Sequence, residues 1–158
     1  MHINTVAALA LFAFTAAFFA VWLTNQAAPA EQQFIFLPPY HYEADDYWSY
    51  LTAFFFATVF SLLFFGAGAP IAMAIEGAKY ASLYSVGVMP AFDLAFAVPT
   101  LIAALAAATL GQGVIADYRN KGSLFDYWRT SVLYFNTALL LFFILLAIRA
   151  TVTSVVLP

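Results

Sequence analysis

The chain has 158 residues, the length of one ordinary domain, but its composition is that of a protein embedded in a membrane. Apolar residues make up 65% of it and charged residues 8%, against roughly half and a quarter in soluble domains. A formal net charge of −3 offers no basic face for nucleic acid, and the absence of cysteine excludes disulfides, iron–sulfur ligation and thiol catalysis. We therefore predict an all-α fold, a polytopic transmembrane helical bundle.

Five apolar segments are predicted to form the membrane-embedded helices of a single domain over residues 1–158. In chain order they cover residues 5–24, 48–65, 71–89, 93–113 and 130–157. The first segment contains no charge, and at about 1.5 Å per residue it is long enough to cross a core of ~30 Å. Because Ala27-Ala28-Pro29-Ala30 follows it, a cleaved signal peptide is the alternative. The long apolar run, with no preceding Lys or Arg, favours a retained helix.

The polar loop of residues 25–47 contains one cluster with metal-ligand chemistry. His41, Glu43, Asp45 and Asp46 combine one imidazole with three carboxylates at short spacing, which suits a divalent cation. An acidic loop with a single histidine more simply faces water. We predict no bound metal and no cofactor, and keep these four residues as weak metal candidates.

The charge distribution distinguishes five crossings from four. Three of the five basic residues lie in the loop of residues 114–129, which is therefore expected in the cytoplasm. Five crossings then place the N-terminus inside. The acidic loop of residues 25–47 and the C-terminus both lie outside. If residues 71–89 only lie on the membrane surface, four crossings place the N-terminus outside. We prefer five, because that arrangement is basic inside and acidic outside.

Four charges fall within the predicted membrane helices, namely Glu76, Lys79, Asp93 and Arg149. Such charges are unfavourable in a membrane unless they are paired, so each is a functional candidate. Glu76 and Lys79 are spaced to neutralise each other on one helix face, although Glu76 could instead titrate or pair with Arg149. Arg149 is expected to extend to the outer headgroups, or to form a buried pair with Asp93 or Glu76. Asp93 is expected to cap the fourth helix.

A stripe of small residues marks one surface for close helix packing. Ala103, Ala107 and Gly111 recur every four residues, which lets another backbone approach closely in lipid. The neighbour is either this protein's own bundle or a partner. The sequence contains no phosphate-binding glycine loop and no evident nucleophile–base pair, so we predict that the protein is not an enzyme.

The order of motifs resembles the stage II sporulation protein M family of integral membrane proteins. The matching segments are Gly66 to Pro70, Glu76-Gly77, Met89-Pro90-Ala91-Phe92-Asp93-Leu94 with the helix onward to Gly111, and Leu146-Ala147-Ile148-Arg149-Ala150. Members usually have Asn where this chain has Glu76, and an acid near the position of Arg149. The resemblance implies a multi-helix bundle that works as a membrane partner; bacterial members act in envelope remodelling beside peptidoglycan hydrolases.

The sequence thus predicts a non-catalytic integral membrane scaffold or partner subunit. Its expected partners are the lipid bilayer and other membrane protein subunits, with no nucleic acid. An accessory subunit of a larger energy-converting respiratory complex is the alternative. A small transporter or channel is a third possibility, and it requires the four intramembrane charges to face a common cavity. In a scaffold they are instead expected to be paired or to lie at helix ends.

Overall fold

The computed structural model describes residues 3–33, 35, 47–87 and 91–156. It confirms the predicted all-α bundle, and the described residues contain no strand. The helices are α1 (Ile3–Ala27), α2 (Tyr47–Leu63), α3 (Gly68–Ser85), α4 (Ala97–Tyr118) and α5 (Leu124–Val156). Short 3-10 segments also occur at Ala30–Gln32 and, immediately before α4, at Ala91–Phe96.

Three stretches of helix are long and apolar enough to cross a membrane. They are Ile3–Ala27, Ala91–Tyr118 and Leu124–Val152, while Trp48–Leu63 is a shorter apolar helix. The protein is therefore a membrane-associated helical bundle, with three candidate spans among the described residues.

Helix α3 lies in the interior, between α1 and α2. A side chain added at Gly77 would overlap the carbonyl group of Phe14 on α1, so these two backbones are in close contact. At Gly68 the same is true of the backbone of Phe60 on α2. Most of α3 is buried by these neighbours, including both of its charged residues. Helix α3 is also more polar than α1 and α2, the helices that bury it. Its two charged residues therefore have to be paired.

Successive helices run in alternating directions. Asp93 contacts Arg149, and the Ser131 hydroxyl donates to the Ala106 carbonyl at 2.7 Å, so α4 and α5 are antiparallel. The pairs of α1 with α3 and of α2 with α4 are parallel. We call the end with the short connections 64–67 and 119–123 the turn end. The opposite end, where α1, α3 and α5 finish, is called the loop end.

The connection between α2 and α3 is a strained turn that packs against α4. Phe65 has a φ of 50°, in the left-handed region that non-glycine residues rarely adopt, and Gly66 follows at 93°. The Gly66 amide donates to the Ser61 carbonyl at 2.9 Å, which closes the end of α2. A Cβ on Gly111 of α4 would lie 2.7 Å from the Phe65 Cα. The glycine thus provides the space that the turn occupies.

The predicted helix boundaries are wrong between α4 and α5. The polar loop expected over residues 114–129 is reduced to residues 119–123, and Arg129 lies on α5. Residues 114–118 contain neither glycine nor proline, so the helix continues beyond the apolar stretch. The helix ends at Tyr118, and the φ of 53° at Asn120 lets the Lys121 amide donate to the Ala116 carbonyl at 2.9 Å.

The other boundaries differ by a few residues. Helix α1 extends to Ala27, α2 ends at Leu63, and α3 begins at Gly68 with Pro70 in its first turn. Proline is tolerated there because the first amides of a helix have no partner within it.

The core has an aromatic half and an alanine-rich half. Towards the loop end, bulky side chains from four elements pack together: Tyr50, Phe54, Tyr80, Phe96 and Phe142. Towards the turn end the cluster is made of small residues, chiefly Ala57, Ala69, Ala72, Ala104 and Ala108, together with Val6. Small side chains fill the turn end, whereas the aromatic half contains the buried charges described next.

Candidate functional site: two buried ion pairs

The first buried ion pair joins two helical elements that are distant in sequence. The Arg149 Nε atom donates to Asp93 Oδ1 at 3.0 Å, across 56 positions of the chain. The Arg149 side chain is 8% exposed and that of Asp93 is 1% exposed. Arg149 therefore lies inside the bundle and does not extend to the headgroups, so the interpretation as a buried pair with Asp93 holds in this structure.

A tyrosine completes this cluster. The Tyr50 hydroxyl on α2 donates to the second carboxylate oxygen of Asp93, and the Arg149 guanidinium carbon lies 5.0 Å from the Tyr50 ring centroid. The ring also packs on Phe96, at 4.4 Å between centroids. One carboxylate thus receives a charged donor and a neutral donor, and connects α2 and α5 to the 3-10 segment that precedes α4.

The expected capping role of Asp93 is not seen. Asp93 lies within the 3-10 segment, and the residue that precedes α4 is Phe96, which has no side-chain capping bond. The 3-10 turn extends the helical path by about two turns, so the carboxylate lies away from the first amides of α4. It points instead to the donors on α2 and α5.

The second buried ion pair is local to α3. Lys79 Nζ contacts Glu76 Oε2, and neither side chain is exposed to solvent. The ammonium group also lies 4.4 Å from the centroid of the Tyr80 ring, a cation–π geometry. Glu76 therefore pairs with its own helix neighbour in this structure, and Arg149 pairs elsewhere.

The predicted small-residue stripe packs within this protein's own bundle. Ala103, Ala107 and Gly111 are all buried. Ala103 belongs to the aromatic core cluster, and Gly111 contacts the turn at Phe65. The packing inside the bundle accounts for the stripe without a partner.

The weak metal candidates His41, Glu43, Asp45 and Asp46 lie outside the described residues. Within the part of the chain that is described, no group of three His, Asp or Glu side chains is placed to hold a metal ion.

Sequence reasoning assigned no role to Tyr50 and used Gly77 only as part of a family motif, although both have central positions. No local signal in the sequence distinguishes Tyr50 as a buried hydrogen-bond donor. Gly77 did carry a signal, since Gly77 and Ala81 form a small-xxx-small spacing on α3.

The outer surface is mostly apolar. Only Val6, Ala10 and Asn25 are buried on α1, and residues such as Phe12, Leu133 and Leu140 are more than half exposed. A groove of about 660 Å³ follows α2 between Trp48 and Leu63. These faces suit lipid chains or other membrane helices.

Comparison with known proteins gives no match. No family model matches the chain, and neither does any curated protein or solved structure.

Proposed function

We propose that this protein is a non-catalytic integral membrane scaffold or partner subunit. The observation that carries the proposal is the arrangement of the four intramembrane charges. Each anion contacts a cation of the same chain, Glu76 with Lys79 and Asp93 with Arg149. A transport path would need these groups to face one cavity, and the cavities described here are lined by other residues.

The positions of the motif residues support the same proposal. The segments that resemble the stage II sporulation protein M family fall on the α2–α3 turn, the centre of α3 and both partners of the Asp93–Arg149 pair. These are positions that hold the bundle together. A scaffold of that general kind needs a packed helix bundle and apolar outer faces, and the described residues form both.

The proposal extends to five crossings, with the turn end in the cytoplasm and the C-terminus outside. Two features support it: the alternating helix directions, and the basic residues Arg119, Lys121 and Arg129 near the turn end. An interior position for α3, between α1 and α2, also agrees better with a crossing helix than with one on the membrane surface.

Purification from native membranes in mild detergent tests the partner role. Native electrophoresis and mass spectrometry are expected to recover the chain with envelope proteins, or as a discrete assembly of its own. Recovery at fixed stoichiometry with haem, copper or quinone-reactive subunits would instead make it an accessory subunit of an energy-converting complex.

A flux assay tests the exclusion of transport. Liposomes that contain the purified protein are expected to leak protons and small ions no faster than protein-free liposomes. The scaffold role would be contradicted if the wild-type protein gave a flux that Lys79→Met loses and the exposed control Arg129→Gln keeps.

A further inference from the structure

An open cavity of about 330 Å³ lies at the turn end, between the α2–α3 turn and the end of α4. Phe65 and Ile115 contribute apolar surface, and Arg119, Lys121 and Tyr127 contribute polar groups. The cavity therefore combines a cationic side with an apolar side. It lies away from both buried ion pairs and takes no part in the proposed scaffold role.

The two cations at this cavity are available to a ligand. Both Arg119 and Lys121 are exposed, and among the described residues neither side chain has a hydrogen-bond or ion-pair partner. The nearest acids in sequence, Asp117 and Asp126, do not line the cavity. The carbonyl groups of Ile115, Ala116 and Asp117 accept hydrogen bonds from the backbone amides of residues 119–121. They therefore do not compete with a ligand for the two cations.

The start of α3 adds to the positive potential. Ala67 lines the cavity and is the residue before the first turn of α3, with no side-chain capping bond. The dipole of α3 puts partial positive charge at this end, while the Ala69 amide donates to the Gly66 carbonyl and Pro70 has no amide N–H.

Exposed aromatic side chains place this cavity at the depth of lipid headgroups. Tyr118, Phe125 and Trp128 flank the α4–α5 turn and are 88%, 71% and 52% exposed. The amphipathic rings of Tyr and Trp concentrate at the boundary between hydrocarbon and water. A ligand in the cavity would therefore have its charged group among headgroups and its apolar part towards the bilayer.

We propose that this cavity binds the phosphate group of an anionic membrane lipid. Arg119 and Lys121 pair with the phosphate, and the surface around Phe65 and Ile115 contacts the first carbons of the lipid chains. Inorganic phosphate offers the same charge without the chains, so the two ligands can be separated by experiment.

The test measures lipid binding to the full-length protein by native mass spectrometry, in detergent with added phosphatidylglycerol or phosphatidylcholine. Wild type is expected to retain phosphatidylglycerol preferentially. The double variant Arg119→Gln, Lys121→Gln should bind it about 25-fold more weakly, since each cation removed costs about fivefold in affinity. Arg129→Gln is the matched control, because Arg129 is exposed nearby but does not line the cavity. Ala67→Phe keeps both cations but fills the cavity, and should also lose the lipid.

Three results would overturn the proposal. Equal loss in Arg129→Gln, or undiminished binding in Ala67→Phe, would mean that general surface charge attracts the lipid. If inorganic phosphate raised the Tm of the lipid-free protein through Arg119 and Lys121, and phosphatidylglycerol gave no further rise, the ligand would be free phosphate.

Discussion

The two buried ion pairs resemble each other in chemistry and differ in what they connect. Glu76 and Lys79 are three positions apart on α3, so their contact forms whenever that helix forms. Asp93 and Arg149 are 56 positions apart and meet only when the 3-10 segment and α5 have packed. The first pair makes a polar helix compatible with the interior. The second fixes how separate helices dock.

This difference implies different consequences when the pairs are lost. Replacement of a buried ion pair by apolar groups of similar volume is often neutral, whereas removal of one partner leaves a buried charge without compensation. The local pair should therefore be replaceable as a unit. The long-range pair should not, because its replacement also removes the contact between α5 and the 3-10 segment that precedes α4.

The largest effect is expected from Arg149→Glu. It places a second carboxylate against Asp93 in the interior, and we expect a loss of about 5 kcal/mol in the free energy of unfolding. Thermal unfolding in detergent measures it. Arg129→Glu is the control on the same helix, since Arg129 is exposed, and should stay close to wild type. A wild-type Tm for Arg149→Glu would show that the arginine extends to the headgroups.

The second-largest effect concerns the local pair, and it compares the loss of one partner with the loss of both. Lys79→Met leaves Glu76 buried without its cation and should lower the free energy of unfolding by about 3 kcal/mol. The double variant Glu76→Gln, Lys79→Met should recover most of that loss. If the double variant were as unstable as the single one, Glu76 and Lys79 would have further obligatory partners on neighbouring helices. Thermal unfolding of the three proteins in one detergent makes the comparison.

A smaller loss is expected from Gly77→Ala, which tests the contact between α1 and α3. The added methyl group would overlap the backbone of Phe14, and separation of the helices should cost about 2 kcal/mol. Gly122→Ala is the control, because its Cβ would meet the nearest atom at an ordinary 3.4 Å. Equal stability of the two variants in detergent would contradict the close approach of α1 and α3.

The smallest effect is expected from Tyr50→Phe. It removes one donor to Asp93 while Arg149 remains, so the loss should be about 1 kcal/mol, as for other hydrogen bonds between membrane helices. In the Arg149→Gln background the same change should have a larger effect, because Tyr50 is then the remaining donor at that carboxylate. Chemical denaturation in mixed micelles resolves the difference. Equal losses in both backgrounds would show that Tyr50 and Arg149 act independently.

Periodicity and length predicted most of the fold but not its interior. Apolar runs located all five helices, because each run lies between polar or glycine-rich breaks. Helix ends were less predictable: α4 continues to Tyr118 because its polar last turn still favours a helix, and only the left-handed Asn120 stops it.

The candidate site was partly predictable for the same reason. Glu76–Lys79 follows from spacing along one helix, which the sequence shows directly. For Arg149 the sequence left headgroup contact and two buried partners open, since composition does not report which helices are neighbours. Tyr50 could not be foreseen, because its hydroxyl acquires its role only when α2 lies beside the 3-10 segment.

The central claim is that Asp93 and Arg149 hold the bundle together as a buried pair. A double-mutant cycle on Asp93→Asn and Arg149→Gln, with unfolding measured in one detergent, tests it most directly. The predicted coupling is about 2–3 kcal/mol, so that the double variant is clearly more stable than the sum of the single losses implies. Strictly additive losses would contradict the claim and leave Arg149 without a role in docking α5.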